Sequence, residues 1–189
     1  LGVNALDAVR LAMAGIDAMR QQLRQDSRLH TIITHGGDAA NIIPERASML
    51  TVARAADAGY LFDVLVPRLT AIFEGAALMT GARLELSDSS RPYLEMAING
   101  PLEAAFERHV ARRGRPVVQY DPEERTGSTD MGNVSQAMPG LHGMLAIHDS
   151  ALPHTEAFRE AALSPRGDST VLDGASILAG LAAELFLDG

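Results

Sequence analysis

In the first half of the chain, two amphipathic segments with helical periodicity flank two short segments in which apolar and polar residues alternate. This order limits the available folds. Apolar residues recur at helical spacing from about Ala5 to Leu23 and again from Tyr60 to Thr80, where Gly81 is placed to end the helix. Between them, Leu29 to Thr34 and Ser48 to Ala56 alternate apolar and polar residues, which predicts two strands.

A further short strand is predicted from Arg83 to Ser87, which completes the order α-β-β-α-β. That order is one strand short of the split β-α-β unit, a four-stranded antiparallel sheet with two helices on one side. The missing first strand would precede Leu1. Because the composition then turns polar, we predict a boundary, with an incomplete α+β domain at 1–87 and a second domain at 88–189.

Predicted helices and strands alternate in the second domain, which indicates part of a parallel or mixed α/β sheet. The predicted elements are a helix from Leu94 to Arg113, a short strand from Pro116 to Gln119, a buried strand from Leu141 to Ile147, and a last helix to about Leu187. Asp168 or Ser169 is placed to cap that last helix.

Composition excludes several classes of partner. The formal net charge is −8 and there is no basic run, which argues against binding to nucleic acid or to an anionic membrane surface. No uncharged apolar stretch approaches the roughly 18–20 residues that span a bilayer. The sequence has no cysteine, which fits a cytoplasmic protein, so any metal must bind through His, Asp or Glu.

The connection between the first two strands, THGGDAANIIPERA, holds more conformationally special residues than a turn requires. Its paired glycines can adopt positive φ, and Pro44 favours an extended residue before it, so His35 and Asn41 are displayed from a connection fixed at both ends. Two interpretations remain open. The segment is either a wide hairpin loop whose isoleucines plug a core, or a loop that presents Asn41 as a catalytic or substrate-orienting amide.

A second connection, RTGSTDMGNVSQAMPG, also carries polar groups that could bind a ligand. Gly127, Ser128 and Thr129 offer consecutive backbone N–H groups and two hydroxyls, which suit a carboxylate or an oxyanion. Asp130 could equally cap a short helix that has no chemical role.

Three histidines, His142, His148 and His154, lie near one end of the predicted strand in LHGMLAIHDSALPHTEAF. A histidine in such a place is usually packed or solvated, and His154 is the best placed for a site because ligands bind where sheet strands end. Glu123 and Glu124 look like a paired acid and base, but a stretch as charged as DPEER favours a solvated surface.

Four motifs in this order, LGVNALDAV, GGDAANIIPERA, GSTDMGNVSQAMPG and PHTEAFREAA, resemble the di-zinc amidohydrolase and exopeptidase family, metallopeptidase family M twenty. GSTDMGNVS and HTEAF are most similar to its branch of aminobenzoyl-glutamate hydrolases and β-alanyl-dipeptidase-like enzymes. The resemblance implies a zinc-binding α/β catalytic domain with an inserted lid domain that also forms a dimer. Residues 1–87 resemble the lid without its first strand, and residues 88–189 resemble the C-terminal part of the zinc-peptidase catalytic domain.

The resemblance also implies roles for particular residues. Asn41 would reach the active site as a catalytic and substrate-binding residue, and Gly127, Ser128 and Thr129 would receive the substrate carboxylate. His154 would be a zinc ligand. The family's remaining ligands and its general base lie upstream in the full enzyme and have no match here, so the chain looks like a fragment lacking the N-terminal metal-binding half.

The function implied is hydrolysis of an amide bond in a small N-acyl amino acid, an aminobenzoyl-glutamate-like compound or a dipeptide by the full-length parent. Two zinc ions would be the cofactor, with manganese or cobalt as alternatives, and the fragment alone would be inactive. A homodimer through the lid is implied, with no nucleic acid or membrane partner. The alternative is a non-catalytic dimerisation or scaffold module that keeps the family fold but uses no metal.

Overall fold

The computed structural model describes residues 2–118 and 127–188. The chain forms two compact units, Leu1–Glu95 and Met96–Gly189, and each buries apolar residues of its own. Residues 82–99 form neither helix nor strand, and the two units divide within this stretch.

The first unit begins with helix α1, Ala5–Met19, which a 3₁₀ turn continues at Arg20–Gln22. Asn4 caps the helix, because its side-chain oxygen accepts the N–H of Leu6 at 3.0 Å. The buried residues of α1 recur every three or four positions, so one face of the helix packs inwards: Val9, Ala12, Ile16 and Met19. The helix predicted from this periodicity is confirmed.

The two strands predicted after α1 are also confirmed. Strand β1, Arg28–His35, pairs antiparallel with β2, Ser48–Arg54. Leu29 is buried on the inward face of this hairpin, where it lies opposite Ala53. The opposite face carries Ile32, which is exposed.

The second predicted helical segment is built from three consecutive pieces. Helix α2, Ala58–Tyr60, leads into a π-helical turn at Leu61–Leu65 and then into α3, Val66–Thr80. The segment ends at Gly81, whose φ of 72° is left-handed, as the sequence predicts for a glycine in this position. The π-helical turn has no counterpart in the sequence prediction.

The core of the first unit joins the helical segments to the hairpin. It consists of side chains from α1, β1, the π-helical turn and α3: Ile16, Met19, Leu29, Leu65 and Leu69. Complete burial of an aliphatic side chain of this size contributes about 1.5–3 kcal/mol. This cluster therefore holds the hairpin against the two long helices, and the unit is an α+β structure.

The strand predicted from Arg83 to Ser87 is wrong, since residues 82–88 have no regular structure. The sheet in the described residues has two strands, whereas four were expected for the complete lid. A strand needs a neighbouring strand to bond its N–H and C=O groups, and the described part of the chain places none beside this segment. Arg83 forms an exposed ion pair with Glu85 instead.

All the regular structure in the described part of the second unit is helical. Its helices are α4 at Gly100–Arg112, α5 at Met131–Ala137, α6 at Glu156–Ala162 and α7 at Pro165–Asp188. Helix α4 begins later than predicted because Asn99 caps it, accepting the N–H of Leu102 at 3.1 Å. Apolar side chains of α4 and α7 are buried: Ala105, Val110, Ile177 and Leu181.

Neither strand predicted in the second unit is present among the described residues. Residues 116–118 and 141–146 have no regular structure, and Gln119 lies outside the described residues. Met144 is 77% exposed, so the segment predicted as a buried strand is not buried at that position. Both strand predictions are wrong here because no described strand of this unit completes a hydrogen-bonded ladder with either segment.

The last helix starts at Pro165, before the cap predicted at Asp168 or Ser169. Ser164 is the residue that caps it, because its hydroxyl accepts the N–H of Gly167 at 3.1 Å. By length and composition the stretch Pro165–Leu187 could cross a membrane, which is weak evidence because core helices of soluble proteins share both properties.

Two of the three acidic residues in this stretch of α7, Asp173 and Glu184, are paired with basic side chains. Asp173 accepts a hydrogen bond from Arg115 at 2.7 Å. Glu184 bonds the guanidinium of Arg108 and lies 3.0 Å from Nε2 of His109, both on α4. Charged pairs therefore fasten the inward side of α7 alongside its buried apolar residues.

We expect Glu184 to make the second unit sensitive to acid. Hydrogen bonds from Arg108 and from His109 lower the pKa of its carboxyl below the usual 4.5. Because the folded-state pKa is the lower one, the stabilisation is complete above about pH 4.5 and is lost as the pH falls through the lowered pKa. Urea unfolding at a series of pH values should show this loss, and Glu184→Gln should reduce it.

Glu160→Gln is the matched control, since Glu160 is an exposed carboxylate on α6 of the same unit. It should keep the wild-type dependence of stability on pH. Equal acid sensitivity of Glu184→Gln and the wild type would contradict the assignment.

Candidate functional site

A cavity of about 440 Å³ lies in the first unit, between the β1–β2 connection and the start of α1. Its walls are residues 36–44 of the connection together with Asn4 and Leu6. The N–H of Ala5 donates to the carbonyl of Pro44 at 3.0 Å and fastens the connection to the helix. Asn41 lines the cavity and is exposed.

The special residues of this connection fix its shape. A bulge between Ile33 and His35 shifts the strand register just before the connection. Gly37 then has a φ of 111°, and a Cβ atom there would lie 2.7 Å from Cγ of Pro44. Only glycine fits this position without strain, as the paired glycines in the sequence suggested.

The two isoleucines of the connection do not plug a core. Ile42 is 64% exposed and Ile43 is 58% exposed, and both line the cavity. The segment is a hairpin connection, as one of the two interpretations predicted, but the part of that interpretation that makes the isoleucines core plugs is wrong. His35, at the end of β1, is half-buried and does not line the cavity.

One residue of the cavity was missed by the sequence analysis. Asp38 is the only charged side chain among the described residues that line it. The available signal was a single acidic residue directly after the paired glycines, in a connection that is otherwise uncharged up to Glu45.

In the second unit, one residue of the GSTD segment caps a helix and two others are exposed. Thr129 caps α5, because its hydroxyl accepts the N–H of Met131 at 3.3 Å. Asp130, the expected cap, makes no such bond. Gly127 and Ser128 are exposed, and no described residue bonds to the Ser128 hydroxyl.

His154 has an unusual backbone conformation. Its φ is 67°, and it is the only non-glycine residue with positive φ in the described part of the chain. Left-handed backbone costs a residue with a side chain roughly 1–2 kcal/mol, and such strain concentrates at functional sites. The next residue, Thr155, caps α6 by accepting the N–H of Phe158 at 3.3 Å, so the exposed imidazole sits directly before a helix start.

None of the other candidate residues forms a three-ligand group with His154 among the described residues. Nδ1 of His148 accepts the N–H groups of Ser150 and Ala151 at 3.1 Å and 3.0 Å, so this imidazole supports a turn. His142 is exposed. Glu123 and Glu124 lie outside the described residues.

A metal site is not assembled within the described residues. No group of three or more His, Asp or Glu side chains comes together there. A catalytic zinc ion needs three protein ligands and an open position, and His154 supplies one imidazole at most. The described residues therefore do not fit a metal ion by themselves.

No family model matches the chain, but curated proteins do. It is 36% identical to the Xaa-Arg dipeptidase of Mus musculus and 35% identical to that of Homo sapiens, in each case over 180 residues and 94% of the chain. It is 32% identical over 130 residues to one of the p-aminobenzoyl-glutamate hydrolase subunits of Escherichia coli, a match that covers 66% of the chain. The chain spans 42% and 41% of the two dipeptidases and 25% of the hydrolase polypeptide.

Gly37→Ala tests the geometry of the cavity wall. The added Cβ would press on the Pro44 ring, and alanine disfavours a φ of 111°. We expect the free energy of unfolding to fall by about 1–3 kcal/mol in a urea titration. Gly36→Ala is the control, because a Cβ there would meet only ordinary contacts, the nearest at 3.5 Å in Leu6, and should be neutral or stabilising by up to about 1 kcal/mol. Equal stabilities of the two variants would contradict this account.

Proposed function

The chain belongs to the amidohydrolases of metallopeptidase family M twenty, and from that premise we propose that the complete protein hydrolyses an amide bond in a small peptide or N-acyl amino acid. The observation that carries the proposal is the 36% identity to a dipeptidase over 94% of the chain. The alignment includes both candidate segments, since a match of that length leaves few residues of the chain outside it.

The names of the relatives define the class of substrate that we propose. Two are named for dipeptides that end in arginine, and the third is named for p-aminobenzoyl-glutamate. Both kinds of compound have an amide bond to an α-amino acid with a free carboxylate. The proposed substrates are therefore dipeptides or N-acyl amino acids of this form.

The described residues include groups suited to two contacts with such a substrate, one to its carbonyl and one to its carboxylate. Asn41 presents an amide group in the cavity of the first unit, where it can donate to a substrate carbonyl. The Ser128 hydroxyl and the backbone N–H groups of Gly127 and Thr129 are suited to the substrate carboxylate. The Thr129 hydroxyl is already used in capping α5, so we assign no substrate contact to it.

Members of this family generally depend on a metal, which when bound polarises the amide carbonyl. We propose that His154 contributes one ligand, with zinc as the metal and manganese or cobalt as alternatives. The other ligands must come from residues of the complete protein outside the described part of this chain, because no cluster of three forms within it. Residues 1–189 alone are therefore proposed to be inactive.

The proposed lid is the first unit, which in the complete protein would hold a four-stranded sheet. The rival function is a scaffold without catalysis. Its support is the same lack of a three-ligand group in the described residues. Turnover by the complete protein separates the two.

The deciding experiment measures turnover and bound metal in the complete enzyme and in two variants of His154. His154→Ala removes the imidazole, and His154→Gly removes it while relaxing the left-handed backbone. If the imidazole binds metal, both should lower kcat/KM by more than about 100-fold, beyond the effect of losing an outer-shell contact, and reduce the metal content. The isolated chain should show no turnover.

His142→Ala is the control for these variants, because His142 is an exposed histidine of the same unit with ordinary backbone. It should leave activity and metal content unchanged. A His154→Ala enzyme with wild-type turnover and metal content would disprove the ligand role. A wild-type enzyme without turnover on any of the proposed substrates would favour the scaffold.

We also propose that the complete protein is a homodimer joined through the first unit. The outward face of the hairpin supports this, since its apolar side chains are exposed: Ile32, Leu50 and Val52. Light scattering should give a dimer mass, and Ile32→Lys should lower it towards that of a monomer. Leu78→Lys, at an 84% exposed position on α3, should leave the dimer intact. A monomer mass for the wild type at every concentration would refute the proposal.

A further inference from the structure

One side of helix α7 is apolar and mostly exposed. Residues separated by three, four or seven positions along a helix lie on the same side of it. Five positions of α7 related in this way carry no charged residue, and the three large side chains among them are 71%, 59% and 50% exposed. These positions are called the α7 strip: Val171, Gly174, Leu178, Ala182 and Leu185.

The paired charges of α7 lie away from this strip. Asp173 and Glu184 are paired with basic side chains, and Ile177 and Leu181 are buried on the same side of the helix. A surface helix turns its charged side towards water, whereas a helix that is apolar all round is usually buried in a larger structure. The α7 strip is therefore a surface that a further layer of structure should cover.

A segment without regular structure, residues 141–146, lies next to the α7 strip. Cδ1 of Leu145 is 3.5 Å from the position that a Cβ atom of Gly174 would occupy, so the leucine packs against the strip. Arg115 donates to the carbonyl of Ala146 at 3.2 Å, and the same guanidinium bonds two residues of α7 at 2.7 Å each. The end of the segment is therefore fastened to the helix.

The main chain of residues 141–146 has no partner strand among the described residues. No N–H group of this segment donates a hydrogen bond to another described residue, and Met144 is 77% exposed. Backbone N–H and C=O groups need hydrogen-bond partners, and a neighbouring strand supplies them along its length. The segment belongs to the stretch that the sequence predicts as a buried strand. It therefore offers main-chain groups for strand pairing directly beside an apolar side of a helix.

We propose that residues 141–146 pair with a β-strand from the part of the complete protein outside residues 1–189, and that apolar side chains of the added strand cover the α7 strip. Paired strands lie about 4.8 Å apart, so a strand beside the segment would lie over the strip positions next to Gly174. The relatives have the length for such a strand, since the chain spans 42% and 41% of the two dipeptidases.

A lipid bilayer fits these observations less well. It would cover the α7 strip, and the length and composition of Pro165–Leu187 permit a membrane span. It would leave the N–H groups of residues 141–146 without partners, because hydrocarbon offers no hydrogen bonds to the backbone. An added strand satisfies the strip and the main chain together.

A photo-crosslinking amino acid at position 178 of the complete protein identifies what covers the strip. After irradiation and digestion, mass spectrometry should find a crosslink to a peptide outside residues 1–189 of the same polypeptide. The same amino acid at position 163 is the control, because Leu163 is 76% exposed in the same unit and lies outside the strip and the segment. It should give no crosslink to that peptide. A crosslink from position 178 to a second copy or to lipid would overturn the proposal.

Hydrogen exchange tests the strand pairing in the same protein. The amides of residues 142–146 should exchange about 100-fold or more slowly in the complete wild type than in an unstructured peptide. Leu178→Asp should speed this exchange, because it places a carboxylate under the added strand, and Leu163→Asp should leave it unchanged. Leu178→Ala adds no charge and should have a smaller effect in the same direction, which keeps the test valid if the aspartate variant does not fold.

Exchange as fast in the complete wild type as in the peptide would overturn the proposal. Protection that disappears on dilution to the monomer would assign the partner strand to a second copy and would overturn it too. Neither measurement uses turnover, so the result is independent of the proposed function.

Discussion

A two-stranded hairpin is marginally stable in water, so the first unit depends on the buried cluster that joins Leu29 to Ile16 and Leu65. This cluster holds β1 and β2 against the helices and thereby fixes where their connection begins and ends. The hydrogen bond from Ala5 to Pro44 then sets the far side of that connection on the start of α1. The position of Asn41 in the cavity follows from these two constraints, one apolar and one polar.

The parts of the fold that the sequence predicted correctly are those determined by neighbouring residues. Helices α1 and α3, the hairpin and the left-handed Gly81 all follow from local periodicity or from glycine chemistry. The strand expected at Arg83–Ser87 depends on a partner strand. In the split β-α-β order the last strand pairs with the first, and the prediction places that first strand before Leu1. The local sequence of a segment cannot supply its partner strand, and the prediction of a strand at Leu141–Ile147 failed for the same reason.

In the candidate site, too, the features that depend on neighbouring residues were predictable and those that depend on the folded structure were not. The strained position of Gly37 and the display of Asn41 were predictable, because paired glycines and a proline restrict the backbone directly. The capping role of Thr129 was not, since it depended on which of two adjacent polar residues bonds the helix start. Asp38 belongs to no motif, so the sequence analysis did not single it out, although it is the one charged side chain among the described residues that line the cavity.

The left-handed backbone at position 154 restricts which amino acids evolution can place there. Glycine, asparagine and aspartate tolerate this conformation, whereas β-branched residues do not. A relative that has abandoned metal chemistry but kept the loop before α6 should therefore carry one of the tolerant residues at the equivalent position. Under the proposed ligand role of His154, the identity of that single residue among homologues would distinguish lineages that kept the reaction from lineages that kept only the scaffold.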